Sequence, residues 1–95
     1  MKLDKIISKH NIIFVYFYCE EEWCQNINNY IFDFFSSKCN GNINFHFTTK
    51  EKYCQFIPCL KLYSKGKIMN ETFCIDNCNF KKYLNSLYTT SQKLS

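Results

Sequence analysis

Hydrophobic residues along the chain fall into blocks whose spacing changes from helical to alternating and back. Leu3, Ile6 and Ile7 share one helical face that Lys9-His10-Asn11 closes, so the chain opens with about two helical turns. Ile12-Ile13-Phe14-Val15-Tyr16-Phe17-Tyr18 is apolar at every position, the pattern of a central strand covered on both sheet faces. Glu20-Glu21-Glu22 follows as an exposed loop. From Cys24 onward Ile27, Ile31, Phe34 and Phe35 recur at helical spacing, with Gln25, Asn26, Asn28, Asn29 and Asp33 assigned to the other side. This helix runs to about Ser37 and breaks before Asn40-Gly41-Asn42. Ile43, Phe45 and Phe47 alternate with Asn44, His46 and Thr48, giving a strand with one poorer face, after which residues 49–53 can form a helical turn.

Residues 56–68 contain the only proline and one of the only two glycines. Leu60 and Leu62 alternate with Lys61 and Tyr63, Ser64-Lys65-Gly66-Lys67 supplies turn chemistry, and residues 68–73 return as a partner strand: a β-hairpin. Pro58 has no N–H to give a ladder, so it belongs at the start or edge of a strand, where an Ile57-Pro58 bond is a candidate for the cis form. Asn77 is a good N-cap, and Phe80, Leu84 and Leu87, with Tyr83 and Tyr88, form the stripe of a closing helix. Residues 89–95 are polar and are expected to fray. The order is helix, strand, helix, strand, strand, strand, helix, with a right-handed crossover between the first two strands.

An Ile-Pro followed by an apolar strand, a Lys-Gly turn and a second strand resembles the second half of thioredoxin. Trp23-Cys24, placed after a buried strand, supplies the matching feature upstream, and the resemblance covers roughly residues 3–88. It implies one thioredoxin-like domain over 1–95, with its core at about 3–88. The implied fold is α/β, a mixed four-stranded sheet with helices on both faces, lacking the family's first strand. It also implies a cis Pro58 facing the redox residue Cys24, and a substrate-binding surface formed by Trp23, Ile57 and Pro58. The chain departs from the family at three places. Ile27 stands where thioredoxin has its second cysteine, Tyr16 where it has a buried acid, and Cys74 where it has a glycine close to the active-site surface.

Cys24 is the leading candidate nucleophile, because a thiol at a helix N-terminus feels the positive end of the dipole and free N–H groups that favour thiolate. That placement predicts a lowered thiol pKa. The alternative is a buried, inert cysteine. Without a cysteine at position 27 a mixed disulfide must await a second thiol. Two readings follow. One is a monothiol disulfide oxidoreductase acting on protein or small-molecule disulfides, glutathione among them, with Cys74 and then Cys59 as internal resolving candidates. The other is a catalytically degenerate module that binds a protein partner through the fold's surface, similar to the thioredoxin domains of phosducin-like and spliceosomal proteins. Neither calls for a cofactor. Cys19/Cys24, Cys54/Cys59 and Cys74/Cys78 have spacings seen in zinc sites, but their segments fit strand ends better than zinc knuckles, so no metal is assigned.

At 95 residues the chain has room for one core. Hydrophobic residues make up 46% and aromatics 19%, with 10 Phe and 7 Tyr, so rings and Ile supply the core volume and the composition argues against disorder. The net charge of +4 comes from scattered lysines without any arginine, not from the clustered basic stripe that nucleic acid would require. The apolar run from Ile12 to Cys19 follows Lys2, Lys5 and Lys9 much as in a signal peptide. It ends in three acids without a small-residue cleavage site and is too short to span a bilayer. The expected setting is therefore cytoplasmic, off the membrane, with the odd number of cysteines, 7, kept as thiols.

Overall fold

Strand β1 (Ile12–Phe17) is buried at all of its positions, and the other elements are laid against it on both sides. The structure is a computed structural model that describes residues 3–38, 43–49, 58–73 and 77–94, with the backbone alone at 72, 73 and 77–80. Helix α1 (Leu3–Lys9) precedes β1, and a 3₁₀ turn (Glu22–Cys24) leads into α2 (Gln25–Lys38). Strands β2 (Asn44–Thr48), β3 (Cys59–Ser64) and β4 (Lys67–Phe73) and helix α3 (Asn77–Leu94) complete the order. The sheet order is β2-β1-β3-β4: β2 runs parallel to β1, while β3 and β4 are antiparallel to their neighbours. The fold is α/β with a mixed four-stranded sheet.

Alternation along β1 divides the core in two. Ile12, Phe14 and Tyr16 pack with Leu60 and Leu62 of β3 against Ile27, Ile31 and Phe35 of α2 and Leu84, Leu87 and Tyr88 of α3. Ile13, Val15 and Phe17 face the other way, with Cys59, onto Leu3 and Ile7 of α1. Helices therefore cover both faces. The seven-residue α1 is short, and Lys61 helps close the same face, its ammonium 5.4 Å from the centre of the Phe17 ring and 3.2 Å from the Glu71 carboxylate across the β3–β4 pair.

Rings fill the α2 side. Phe14 meets Phe35, Phe35 meets Phe45, Phe45 meets Phe47 and Phe47 meets Phe32, with centroids 4.0 to 4.7 Å apart. Aromatic pairs favour tilted and edge-on contacts of this kind. Phe47 does not sit in the core as its alternation suggests: it is 40% exposed, while Thr48 is buried. β2 is an edge strand, and its last ring leans on Phe32 at the rim.

The hairpin closes through Lys65-Gly66 with φ of +52° and +84°, the paired positive values of a type I′ turn, whose twist matches the flanking strands. The Lys65 N–H donates to the Asn11 carbonyl at 2.8 Å, fixing the turn beside the start of β1. At the far end of the chain the polar stretch is not frayed. α3 continues to Leu94, Ser91 is fully buried with its hydroxyl donating to the Tyr88 carbonyl, and the Tyr88 hydroxyl donates to the Lys38 carbonyl at the end of α2. Thr89 and Thr90 turn their hydroxyls back to the carbonyls of Asn85 and Ser86, so each is satisfied within the helix. Among the described residues no helix is long and apolar enough to cross a membrane.

Candidate functional site

The site is built where β1 ends and α2 begins. Phe17 pairs with Thr48 on one side and Cys59 on the other, and the Tyr18 N–H still reaches the Thr48 carbonyl at 3.0 Å. There the chain leaves the sheet. Cys19 turns inward and is 7% exposed, Glu20, Glu21 and Glu22 point outward, and the 3₁₀ turn brings Trp23 to the surface at 63% exposure and Cys24 inside at 0%.

Asn28 holds this excursion in place. It stands on the first turns of α2 among residues assigned by their polarity to the outer side of the helix, yet it is buried. Its amide accepts the Tyr16 hydroxyl at 2.7 Å and donates to the Cys19 carbonyl at 2.8 Å. Strand, loop and helix are thus joined through one side chain. A buried amide is tolerated when its donor and acceptor sides are both used. Two backbone bonds complete the loop: the Glu21 N–H points to the Cys19 sulfur at 3.4 Å, and the Cys24 N–H donates to the Glu21 carbonyl at 3.0 Å.

The loop brings two thiols together. Burial, then a hydrogen bond shared with Cys19, then repulsion from charge at Cys19 and at Glu21, push the Cys24 thiol up to about 12. This reverses the direction that its place at a helix start predicts. The dipole favours thiolate only where the sulfur can meet free N–H groups, and here the Cys24 N–H is already spent on Glu21 while the sulfur is covered. Cys19 and Cys24 are both free thiols.

Of the other sequence-derived candidates, Pro58 is buried immediately before β3, next to Cys59, the residue that pairs with Phe17. Ile57 and Cys74 lie outside the described residues, and with them the geometry of the Ile57-Pro58 bond and the distance from Cys74 to Cys24. Cys39, Cys54 and the side chain of Cys78 lie outside them too. Cys59 faces the α1 side with Phe17, a place in the core and not at the surface. Cys19, read from sequence only as half of a metal-like spacing, is the residue that the structure adds to the site. Its signal was a C-x4-C pair directly after the end of a buried strand. Among the described residues no three His, Cys, Asp or Glu side chains gather closely enough to hold a metal ion.

No protein-family model matches this sequence, and no curated protein does. Solved structures do match. The oxidised thioredoxin of Plasmodium falciparum superposes with a TM-score of 0.68 at 17% identity, over 90% of this chain and 88% of that one. The thioredoxin of Fasciola hepatica gives 0.67 at 16%, over 88% and 89%, and mitochondrial thioredoxin 3 of Saccharomyces cerevisiae 0.64 at 12%, over 87% and 85%. The chain has a thioredoxin-like fold.

Proposed function

We propose that this thioredoxin-fold chain is a protein-binding module that does not use Cys24 as a lone catalytic thiol, and that it meets its partner through the surface around Trp23. The observation that carries the reading is the state of Cys24, fully covered and with its thiol held up at about 12. The thiolate, the form that attacks a disulfide, is then strongly disfavoured near neutral pH.

Trp23 supports the binding half. Trp23 is 63% exposed, and Trp is among the residues most enriched where binding energy concentrates at protein interfaces. Glu20, Glu21 and Glu22 precede it directly in the chain and are all exposed. A protein surface that fits offers an apolar pocket for the indole, rimmed by lysine or arginine. Thiol–disulfide exchange stands as the second reading, favoured by one observation: Cys24 has a thiol neighbour in hydrogen-bonding contact.

Thiol-specific labelling of the native protein across pH, with Cys24→Ser as control, tests the leading reading. Cys24 is expected to react slowly near neutral pH and faster as the pH rises. Rapid, stoichiometric modification of Cys24 near neutral pH overturns the reading and restores a single-thiol nucleophile.

A further inference from the structure

We infer that Cys19 and Cys24 form a reversible intramolecular disulfide, oxidised by protein or low-molecular-weight disulfides. The inference goes beyond the binding reading and does not depend on it, since it concerns two sulfurs of the free chain and not the exposed face of Trp23.

Geometry carries it. Both thiols are buried in one loop of six residues that is tied at each end: Asn28 holds the Cys19 carbonyl, the Glu21 N–H points to the Cys19 sulfur at 3.4 Å, and the Glu21 carbonyl accepts from the Cys24 N–H at 3.0 Å. The hydrogen bond that Cys24 shares with Cys19 agrees with that placement. A disulfide requires α-carbons within roughly 7 Å and a sulfur separation of about 2.05 Å. Closing the bond takes side-chain rotation and an adjustment of the exposed Glu20–Glu22 segment. The pair is also unlike the usual arrangement of the fold. The second thiol comes from before the helix, at the end of β1, while the position three residues after Cys24 is Ile27, buried against the sheet.

The chemistry balances as an exchange. Cys19, the less covered sulfur, attacks one sulfur of R–S–S–R, forming a mixed disulfide and releasing the first R–S group. Cys24 then attacks the Cys19 sulfur, closing the Cys19–Cys24 bond and releasing the second R–S group. The two thiols give up two protons and two electrons, and R–S–S–R leaves as two R–SH. Cys24, held protonated by its surroundings, gives up its proton only in the second step, where the attack is intramolecular. Run backwards, the oxidised pair reduces to dithiol with any two thiols of lower potential.

The experiment uses the full reduced chain and oxidised glutathione. After equilibration, free thiols are alkylated and the bonds are mapped by mass spectrometry, with the indole fluorescence of Trp23, the only tryptophan, followed in parallel. The expected result is a peptide linked through Cys19 and Cys24, two equivalents of reduced glutathione per link, and a fluorescence change that reverses on reduction. In Cys24→Ser the expected product is a persistent glutathione adduct on Cys19. Recovery of both residues as free thiols while other cysteines have oxidised overturns the inference, as does linkage of either one to a different cysteine. The mapping on the unaltered chain decides the matter even if the serine variant does not fold. A trace in which Cys24 labels slowly but the 19–24 link never forms leaves the binding reading intact and removes only this inference.

Discussion

The Tyr16 hydroxyl donates to Asn28 Oδ1 at 2.7 Å inside the protein, linking the central strand to the first turns of the helix that follows it. Because the same amide donates to the Cys19 carbonyl, Asn28 sets the position of the loop that carries both thiols. Asn28→Ala removes the acceptor of the Tyr16 hydroxyl and the donor to the Cys19 carbonyl together, and is expected to cost about 2–4 kcal/mol of stability. Tyr16→Phe removes one donor and leaves the amide its second bond, with an expected cost of about 1 kcal/mol. Denaturant unfolding of the two variants and their double mutant measures both, and equal costs would show that the shared amide is not the organiser.

Cys24 gives the protein an alkaline liability. The unfolded thiol ionises near its ordinary value of about 8.5, while the folded one stays neutral up to about 12. Above the lower value the unfolded state binds fewer protons than the folded one, so stability falls as pH rises through that window and is fully present below it. The unaltered protein is therefore expected to lose stability relative to Cys24→Ala between these two values, with a slope approaching one proton per molecule. Parallel unfolding curves for the two proteins across pH decide this; a constant difference would contradict it.

At the hairpin turn, a β-carbon added to Gly66 meets nothing within 4 Å, so its substitution tests backbone conformation alone. Gly66→Ala at φ +84° is expected to cost about 1 kcal/mol. Lys65→Asn at φ +52° is expected to gain a few tenths of a kcal/mol, asparagine being the favoured residue at that corner of a type I′ turn. Thermal melts of the two variants should move in opposite directions.

The last turns of α3 are expected to matter although their sequence is polar. Ser91→Leu forces a bulky side chain into a fully buried place, with an expected cost of about 1–3 kcal/mol. Tyr88→Phe removes the bond to the Lys38 carbonyl and is expected to cost about 1 kcal/mol. Calorimetry of both variants provides the check, and a neutral Ser91→Leu would mean that residues 89–94 do not pack as described.

Trp23→Ala is expected to leave stability within about 0.5 kcal/mol, since the indole is mostly exposed. A loss of several kcal/mol would instead make Trp23 a packing residue and remove it from the proposed surface.

Much of this architecture could be read from the chain. The unbroken apolar run Ile12–Phe17 marked the central strand, and Lys65-Gly66 between alternating residues marked the hairpin, because both signals are local and their physics is steric or hydrophobic. Asn28 could not be read in the same way. An asparagine on an amphipathic helix is assigned to water by default, and only the strand end beneath it, with Tyr16 and Cys19 offering matched partners, makes its burial favourable. Cys19 was obscure for the same reason, as its contact with Cys24 depends on a loop that Asn28 holds from a different element. The helical character of residues 89–94 was hidden by composition, their hydroxyls being satisfied by the helix itself.

The hairpin's turn has a consequence for the order of assembly. Strands β3 and β4 are neighbours in sequence and joined by a turn whose twist already suits them, so their pairing closes a very short loop, on a timescale of about 1–10 μs. β1 must find β3 across roughly 40 residues, and that search carries the larger entropy of closure. The nucleus is thus the hairpin acting as a template, with arrival of the central strand setting the rate. Gly66→Ala should then slow folding and leave unfolding almost untouched, which stopped-flow kinetics would register as a φ-value near one.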